Sequence, residues 1–305
     1  MPTLGGRYDA VVIGGGPAGL AGALWLARYR LNTLLLDAGN PRNAPTWAVH
    51  GYLGVADPAP QDLRAIGRRQ AENAGAHVQE ATVVDVTGRC DDFSVRLSDG
   101  REIAARRVLF ATGLRDIIPE IEGLIDLYGT SIWHCPDCDG PGVAGKRVGV
   151  IGWGRQIATF CMEMLTWTDR LTILTHGRRA ELSEVSLAAL RRFGIPIRVE
   201  PIRRIEGSGG QVERVVFENG GAAAFDAMFF HIAYGPGCSI PADLNCEADS
   251  GGMLRIDRDY QTSVGGIYAA GDITHGAKLA IRAAADGTRA AIGIYRSLLP
   301  SERRL

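Results

Sequence analysis

The sequence lacks long hydrophobic runs, a strong excess of charge of either sign and a dense array of cysteines. No apolar stretch approaches the roughly 20 residues that a membrane-spanning helix requires, so we expect no membrane insertion. Thirty-three basic residues against 34 acidic ones give a net charge of -1, which argues against partners such as nucleic acid or an anionic membrane. The first residues lack a cleavable leader pattern, because Arg7 and Asp9 precede an apolar run that soon breaks into glycines. A reducing cytoplasm is therefore the predicted location.

The 305 residues are enough for two domains, each with its own core. An apolar share of 46% and a charged share of 22% are ordinary values for a soluble globular protein. Four of the six cysteines share no motif spacing. Two of these, Cys238 and Cys246, also lack the paired spacing of zinc ribbons, so we predict no metal site.

The other two cysteines, Cys135 and Cys138, lie in the stretch WHCPDCDG. This spacing lets both sulfurs meet in one small ring, which is typical of a disulfide that forms and breaks rather than of a structural cross-link. Asp139 follows directly, as a carboxylic acid able to give or take the proton that a leaving thiolate needs. Half of a zinc site, or two buried thiols, is the alternative interpretation of the pair alone.

The N-terminal region has the pattern of a strand, a glycine turn, a helix, a second strand and an acid. An apolar run over Asp9–Ile13 leads into Gly14, Gly16 and Gly19, which fit the GxGxxG pattern. The first glycine makes the turn, the second lets the backbone approach a pyrophosphate, and the third lets the helix pack against the strand. The second strand ends at Asp37, where a carboxylate would hold ribose hydroxyls. The whole unit predicts a bound dinucleotide.

A later stretch repeats this order of strand, glycine loop and helix approximately. The strand Val148–Ile151, the loop GWGRQI and a helix form a second unit, which indicates an internal repeat. Before it lies a Pro- and Gly-rich loop, Gly39–Pro60, of the length and composition that is usually functional or disordered. The remaining predicted elements are helices at 62–74, 158–165 and from 279 onward, and strands at 82–86, 93–97, 102–104 and 171–174. Residues 107–112 form another apolar run, and the second half closes around residues 229–236.

Four stretches in this order resemble the low-molecular-weight thioredoxin reductase family of FAD-dependent disulfide oxidoreductases. They are GGGPAGL near the start, ATG at Ala111, CPDCDG in mid-chain and YAAGDIT near the end. The resemblance implies an α/β fold of two Rossmann-like nucleotide-binding domains, the second inserted in the first. The FAD-binding domain would comprise residues 1–117 and 242–305, and residues 118–241 would carry the CxxC disulfide. Members of this family are typically homodimers.

The resemblance also implies roles for individual residues. Cys138 would be the sulfur beside the flavin, Cys135 the sulfur that exchanges with substrate, and Asp139 the acid. A thioredoxin-like protein or a small dithiol or disulfide would be the partner. Apart from the resemblance, His50 and His275 lie in loops next to these motifs and are candidate proton carriers, with an exposed loop histidine of no such role as the alternative for each. The implied FAD-binding residues are Gly14, Gly16, Pro17, Ala18, Gly19, Asp37, Ala38, Asn43, His50, Val84, Ala111, Thr112, Gly113, Gly271, Asp272, Lys278, Leu279 and Ala280.

The second nucleotide loop departs from the family pattern, which makes NADPH a doubtful cofactor. Ile157 stands where a small residue normally lets the helix approach the strand, and Trp153 stands where a pyrophosphate would need bare backbone. Gly177 splits the His-Arg-Arg run that holds the 2′-phosphate in NADPH-dependent members. A second FAD, stacked on Trp153 as in the diflavin-linked relatives, is an alternative occupant. The expected second-site residues are Gly152, Trp153, Gly154, Arg155, Gln156, Arg178 and Arg179.

A further departure lies at Lys278–Ala280, where thioredoxin reductases have an Arg-Gln pair before the last helix. Together these features predict electron exchange between FAD and the Cys135–Cys138 pair, with a second site that does not use NADPH normally. Three alternatives stay open at this point: an NADPH-dependent thioredoxin reductase, an O2-dependent oxidase of small dithiols, and a non-catalytic flavin-bound redox sensor.

Overall fold

The computed structural model describes residues 6–303. Residues 1–5, which begin both the expected FAD domain and the stretch expected to lack a leader, lie outside the described residues, as do residues 304–305. In chain order the helices and strands are β1 (Tyr8–Ile13), α1 (Pro17–Arg28), β2 (Thr33–Asp37), α2 (Pro60–Asn73), β3 (His77–Glu80), β4 (Val83–Arg89), β5 (Asp92–Leu97), β6 (Glu102–Phe110), β7 (Leu114–Ile117), α3 (Leu124–Leu127), β8 (Ile132–Trp133), α4 (Pro136–Asp139), β9 (Val148–Ile151), α5 (Ile157–Met164), β10 (Leu171–Leu174), α6 (Glu184–Arg192), β11 (Ile197–Arg198), β12 (Ile202–Ser208), β13 (Gln211–Phe217), β14 (Ala222–Ala224), β15 (Ala227–Phe230), β16 (Ala233–Pro236), α7 (Ile240–Asp243), β17 (Ile267–Ala269) and α8 (Ala280–Leu298).

The chain forms two compact units. The first unit contains the residues up to Ala44, Gly51–Arg115 and the residues from Gly235 onward, and the second contains Pro45–His50 and Asp116–Tyr234. These units differ from the predicted ranges, 1–117 with 242–305 and 118–241, in three segments: residues 45–50 and 116–117 belong to the second unit, and residues 235–241 belong to the first. The segment Pro45–His50 packs tightly in the second unit, because a Cβ at Gly129 would lie 2.1 Å from the carbonyl oxygen of Pro45.

The first unit is built on a parallel sheet in the order β3-β2-β1-β6, with β17 beside β6 and with β5 and β4 added antiparallel. Strand β1 is buried on both faces: Val11 and Ile13 pack in one core cluster, and Ala10 and Val12 pack in the other. Helices α1 and α8 lie together, and a Cβ at Gly287 would approach the carbonyl oxygen of Ala18 to 1.9 Å. This glycine is therefore required by close helix packing.

The second unit has its own parallel sheet, in the order β11-β10-β9-β15-β8, and a three-stranded antiparallel sheet, β12-β13-β14. Strand β9 is fully buried at the centre of the parallel sheet. The predicted α/β class with two Rossmann-like nucleotide units is confirmed. Within residues 6–303, no helix combines the length and the hydropathy that crossing a membrane requires.

Two local features differ from the sequence analysis. The expected strand at 102–104 and the apolar run at 107–112 form one continuous strand, β6, which ends at Phe110. The sheet β12-β13-β14 was not predicted, because its exposed positions carry charged residues that mask the strand periodicity. For example, Glu206 accepts hydrogen bonds from Arg204 and Arg214 on this sheet.

Candidate active site

The first glycine loop is closely packed at its ends and open in its middle. A Cβ at Gly14, where φ is +110°, would lie 2.4 Å from the carbonyl oxygen of Ala111, and a Cβ at Gly19 would lie 1.8 Å from that of Gly14. A Cβ at Gly16, in contrast, meets no atom within 4 Å. Helix α1 begins at Pro17, directly after this open position. Gly16 therefore offers bare backbone at a helix N-terminus, which is the arrangement that binds a pyrophosphate.

Asp37 ends β2 beside this loop, and both of its carboxylate oxygens accept hydrogen bonds. Oδ1 accepts from the Gly39 amide at 3.0 Å, and Oδ2 accepts from Arg64 Nη2 at 2.5 Å. The Arg64 Nε also donates to the Gly15 carbonyl oxygen at 3.3 Å, so one arginine joins the acid to the loop. Sequence reasoning missed Arg64, because it lies on α2 without any motif. Only the fold brings it to Asp37.

Asp272 lies in a turn beside the start of α1. The turn Gly271–Ile273 packs against α1, since a Cβ at Gly271 (φ +78°) would lie 2.8 Å from the Ala18 Cβ. The Asp272 carboxylate accepts a hydrogen bond from Arg42 Nη1 at 3.3 Å. Burial raises the pKa of Asp272, and the charges of Arg42 and Lys278 oppose this rise.

Lys278 directs its ammonium group to the backbone of this same turn. Its Nζ donates to the carbonyl oxygens of Asp272 at 2.7 Å and of Thr274 at 2.6 Å, and burial lowers its pKa. Leu279 and Ala280 stand at the beginning of α8, as its N-cap and its first residue. Lys278 thus stabilises the turn that presents Asp272.

The other expected FAD-binding residues divide between the two units. Ala111, Thr112 and Gly113 directly follow β6; the Thr112 hydroxyl lies 3.6 Å from the Cys238 sulfur. Ala38 and Asn43 follow β2, and Val84 lies exposed on β4. His50 belongs to the second unit. His275, the other histidine expected as a proton carrier, is exposed and forms an ion pair with Asp249.

In the second unit, Cys135 and Cys138 form a disulfide with a Cα–Cα distance of 5.3 Å. They flank the start of α4, a single helical turn (Pro136–Asp139) capped by Cys135, whose Sγ accepts a hydrogen bond from the Cys138 amide at 3.2 Å. The proline at the first helical position is compatible with this geometry, because that position needs no N–H donor. The motif residues are therefore held in one short, rigid turn.

Asp139 ends this turn and is mostly buried. Burial raises its pKa to about 6, and the charge of His50 opposes the rise. A carboxyl group with this pKa exchanges its proton readily near neutral pH, as a general acid or base must. His50 itself contacts Trp47, with the two ring centroids 5.2 Å apart. Within the second unit, His50 thus acts electrostatically on the acid that follows the disulfide.

His134, which stands directly before Cys135, was not among the predicted site residues. Its Nδ1 hydrogen-bonds the Tyr128 hydroxyl at 2.8 Å, and its Nε2 lies 3.7 Å from the Asp116 carboxylate. A carboxylate beside one ring nitrogen and a hydroxyl beside the other fix the orientation of an imidazole. Its position directly before the CxxC motif is the sequence signal that could have indicated His134.

The second glycine loop differs from the first in where its helix begins. Helix α1 begins directly after Gly16, whereas α5 begins only at Ile157, with two residues between it and Gly154. Ile157 is fully buried, and a Cβ at Gly152 would lie 2.5 Å from the Ile157 Cδ1. The branched side chain thus fills the space beside the first glycine of this loop. The turn that would present amide groups to a pyrophosphate is displaced along the chain.

Trp153 occupies the middle of this second loop and is tied to the segment that follows β10. The Arg178 guanidinium lies over the indole ring, 4.4 Å from its centroid, and the Glu181 amide donates to the Trp153 carbonyl oxygen at 2.7 Å. Arg155 lies 3.6 Å from the Glu181 carboxylate. One face of the indole is therefore covered by the protein itself.

Comparison with known proteins agrees with this geometry. A family model described as pyridine nucleotide-disulphide oxidoreductase matches residues 8–287. The chain belongs to this family. It is 31% identical to a thioredoxin reductase of Peptoclostridium litorale, over 93% of this chain and 95% of that one. It is 29% identical to thioredoxin reductase tcpT of Claviceps purpurea, over 87% of this chain and 86% of that one. The crystal structure of the putative thioredoxin reductase TrxB from Bacillus anthracis superposes with a TM-score of 0.89 at 31% identity, covering 98% of this chain and all of that one.

This pyridine nucleotide-disulphide oxidoreductase is thus a thioredoxin reductase-like, FAD-dependent enzyme. The residues of the first unit fit the cofactor, because the open position at Gly16 and the carboxylates of Asp37 and Asp272 are arranged around one helix start. Among residues 6–303, no three His, Cys, Asp or Glu side chains are grouped as metal ligands. Cys238 and Cys246 contact the hydroxyls of Thr112 and Thr262 instead.

Proposed function

We propose that this enzyme exchanges electron pairs between FAD and the Cys135–Cys138 disulfide, and between that disulfide and a dithiol or disulfide partner, without ordinary use of NADPH. The observation that carries the proposal is the filled second loop, in which Trp153 replaces bare backbone and Arg178 covers its ring. Ile157 supports it further, because its buried side chain accompanies a late start of α5. Thiol compounds rather than a nicotinamide then exchange electrons with the disulfide. With a dithiol partner, molecular oxygen takes the electron pair from the reduced flavin, as in an O2-dependent dithiol oxidase; with a disulfide partner, a second dithiol supplies the pair.

The exchange step conserves atoms and electrons in either direction. For a dithiol partner, one substrate thiolate attacks the Cys135 sulfur, the disulfide breaks, and Cys138 leaves as a thiolate. The second substrate thiolate then attacks the mixed disulfide and releases Cys135, so the partner loses two electrons and two protons. FAD, when bound, is the two-electron acceptor or donor that returns the pair to its starting state.

The protons of this step have two candidate carriers in the second unit. His134, next to Cys135 and held by Tyr128, takes the proton of the incoming thiol. Asp139, with a pKa of about 6, supplies or accepts the proton of the departing Cys138 thiolate. This division assigns Cys135 to substrate and Cys138 to the flavin.

For the partner we propose a thioredoxin-like protein or a small dithiol or disulfide, because relatives carry the name thioredoxin reductase. A homodimeric assembly and a cytoplasmic location stay predictions from the sequence. The same names favour an NADPH-dependent thioredoxin reductase as the second candidate function. A second FAD, stacked on the face of Trp153 opposite Arg178, is the other possible occupant of the second site.

Anaerobic stopped-flow absorbance of the flavin tests the proposal. We expect excess dithiothreitol to bleach the flavin band rapidly, and NADPH to do so about 100-fold more slowly than in a thioredoxin reductase, because a misplacement of about 1 Å costs that much. Cys138→Ser is expected to abolish bleaching by the dithiol. Rapid bleaching at low NADPH concentration would contradict the proposal and establish the ordinary reductase. The FAD content of the purified protein, one or two per chain, decides the occupant of the second site.

A further inference from the structure

His231 directly follows β15 and lies beside the second glycine loop. Its amide donates to the Ile151 carbonyl oxygen at 2.8 Å, and a Cβ on the first glycine of that loop would lie 2.6 Å from its own carbonyl oxygen. In the first unit, the Ala111 amide donates to the Ile13 carbonyl oxygen at 2.8 Å, and a Cβ on the first glycine would lie 2.4 Å from the Ala111 carbonyl oxygen. The two residues are therefore equivalent. An imidazole stands in the second half where the first half has a methyl group.

The small side chains of the first half let its helix approach the sheet. A Cβ at Gly19 would lie 3.4 Å from the Ala111 Cβ, so little more than one methyl group separates α1 from the end of β6. In the second half, the buried Ile157 takes the place of Gly19. The His231 ring stacks on Phe160, three residues further along α5, with the ring centroids 4.9 Å apart. Branched and aromatic groups thus fill a contact that the first half leaves nearly empty.

This enlarged contact accompanies the late start of α5. Helix α1 begins directly after Gly16, whereas Arg155 and Gln156 still precede α5. A diphosphate at a helix N-terminus is bound by the amides of the first turn, so the second loop lacks these donors in the required arrangement. Burial also lowers the pKa of His231, so its imidazole is neutral near pH 7 and adds bulk without a charge that would attract a phosphate.

We propose that His231 excludes dinucleotides from the second loop, because its ring holds the first turn of α5 away from the end of β15. Side chains that overfill a close-packed contact displace the backbone around them. The same exclusion applies to a second FAD, whose diphosphate would need the same amides. This inference rests on the proposed function, in which the second loop does not use NADPH normally. It adds a specificity-determining residue that lies outside the loop itself.

Calorimetric titration of the FAD-loaded, full-length protein with ADP tests this role, since ADP carries the diphosphate and the bound FAD occupies the first loop. The titration compares Trp153→Gly, which removes the indole from the loop centre, with a double variant that adds His231→Ala. We expect the double variant to bind ADP at least about tenfold more tightly, as one regained charge-assisted hydrogen bond predicts. His231→Ser replaces His231→Ala if the alanine variant does not fold. Affinities equal within about threefold would overturn the proposal, as would two FAD per chain in the wild type.

The matched control adds Met164→Ala to Trp153→Gly, which shortens a buried side chain of similar size in the last turn of α5. We expect this variant to bind ADP as Trp153→Gly does, because Met164 lies away from the helix start. A gain equal to that of the His231 variant would show a general loosening of α5 and would also overturn the proposal.

Stopped-flow reduction of the wild type by NADPH separates this inference from the proposed function. Rapid bleaching of the flavin band refutes the proposed function itself. Slow bleaching, together with equal ADP affinities of the two variants, refutes only the role of His231.

Discussion

The two nucleotide-binding halves share strand order and register but differ in what fills their loops. In each half a parallel pair of strands runs into a glycine loop, with Ile13 opposite Leu36 in the first and Ile151 opposite Leu174 in the second. The first loop is bare at its centre, whereas the second carries Trp153 there. The arrangement of strands and helix is therefore the same in both halves although the loop residues differ, because strand pairing and helix burial do not depend on the loop's side chains.

The register makes a residue-by-residue comparison possible. Since Leu36 and Leu174 are equivalent, Asp37 corresponds to Thr175, and Gly15 corresponds to Trp153. A Cβ at Gly15 would collide with the Asp37 carboxyl at 2.2 Å, so the acid requires a glycine opposite it. In the second half, the indole ring of Trp153 stands in place of Gly15, and the buried hydroxyl of Thr175 stands in place of the Asp37 carboxylate. A neutral threonine tolerates a 2′-phosphate, so the proposed obstacle to NADPH lies in Trp153 and its neighbours rather than in charge.

The largest effect that separates the halves is expected from matched valine substitutions. Gly16 and Gly154 are equivalent, and a Cβ at either position meets no atom within 4 Å, so both variants should fold. Gly16→Val should yield protein without bound FAD, because the branched side chain fills the place of the pyrophosphate, whereas Gly154→Val should retain FAD. Absorbance of the purified proteins at the flavin band measures this. Full yellow colour in Gly16→Val would show that the first loop is not the flavin site.

A smaller effect is expected when the second loop is made more like the first. Trp153→Gly removes the indole beneath Arg178 and leaves bare backbone at the loop centre. If the ring is the main cause of nicotinamide misalignment, NADPH should reduce the flavin about tenfold faster in this variant. Trp153→Phe retains a ring and is the matched control, with an expected rate close to wild type. Stopped-flow bleaching at fixed NADPH provides the comparison. An unchanged rate in Trp153→Gly would assign the obstacle to Ile157 and the late start of α5 instead.

The smallest expected effect compares the two buried carboxylates. Burial raises the pKa of both, to about 6 in Asp139, but Asp272 also accepts a hydrogen bond from Arg42, whose charge opposes the rise. A raised pKa means that stability falls as the pH rises from the unfolded value near 4 to about 6. Asp139→Asn removes this loss, so the variant should gain on the order of 1–3 kcal/mol relative to wild type between pH 4 and pH 7. Thermal unfolding at these two pH values measures the gain; an equal difference at both would show that Asp139 has an ordinary pKa.

The sequence predicted those parts of the site that lie in a fixed spacing. The glycines of the first loop, Asp37 at the end of the next strand and the CxxC motif with Asp139 are each set by local geometry, so the spacing alone predicted them. Arg42 and Arg64 could not be predicted in this way. Their partners are distant in the chain, and only the sheet order brings Arg64 to Asp37 and Arg42 to Asp272.

The second loop shows the same division between local and tertiary information. The sequence indicated that Ile157 would disturb the contact between helix and strand. It did not show that α5 begins later or that Arg178 covers Trp153, because both depend on how the segment after β10 folds back. The strands of the antiparallel sheet in the second unit were missed for a related reason. Their cross-strand ion pairs, such as Glu206 with Arg214, are defined by pairing rather than by periodicity.

The membership of Pro45–His50 in the second unit has a consequence for protein engineering. These six residues come from a loop whose two ends belong to the first unit, so the second unit is not a single continuous segment of chain. A gene fragment encoding only residues 116–234 would omit the backbone that packs against Gly129 and the imidazole that acts on Asp139. A design that excises, grafts or circularly permutes the disulfide-bearing unit must therefore include Pro45–His50 as a second, separate segment of chain.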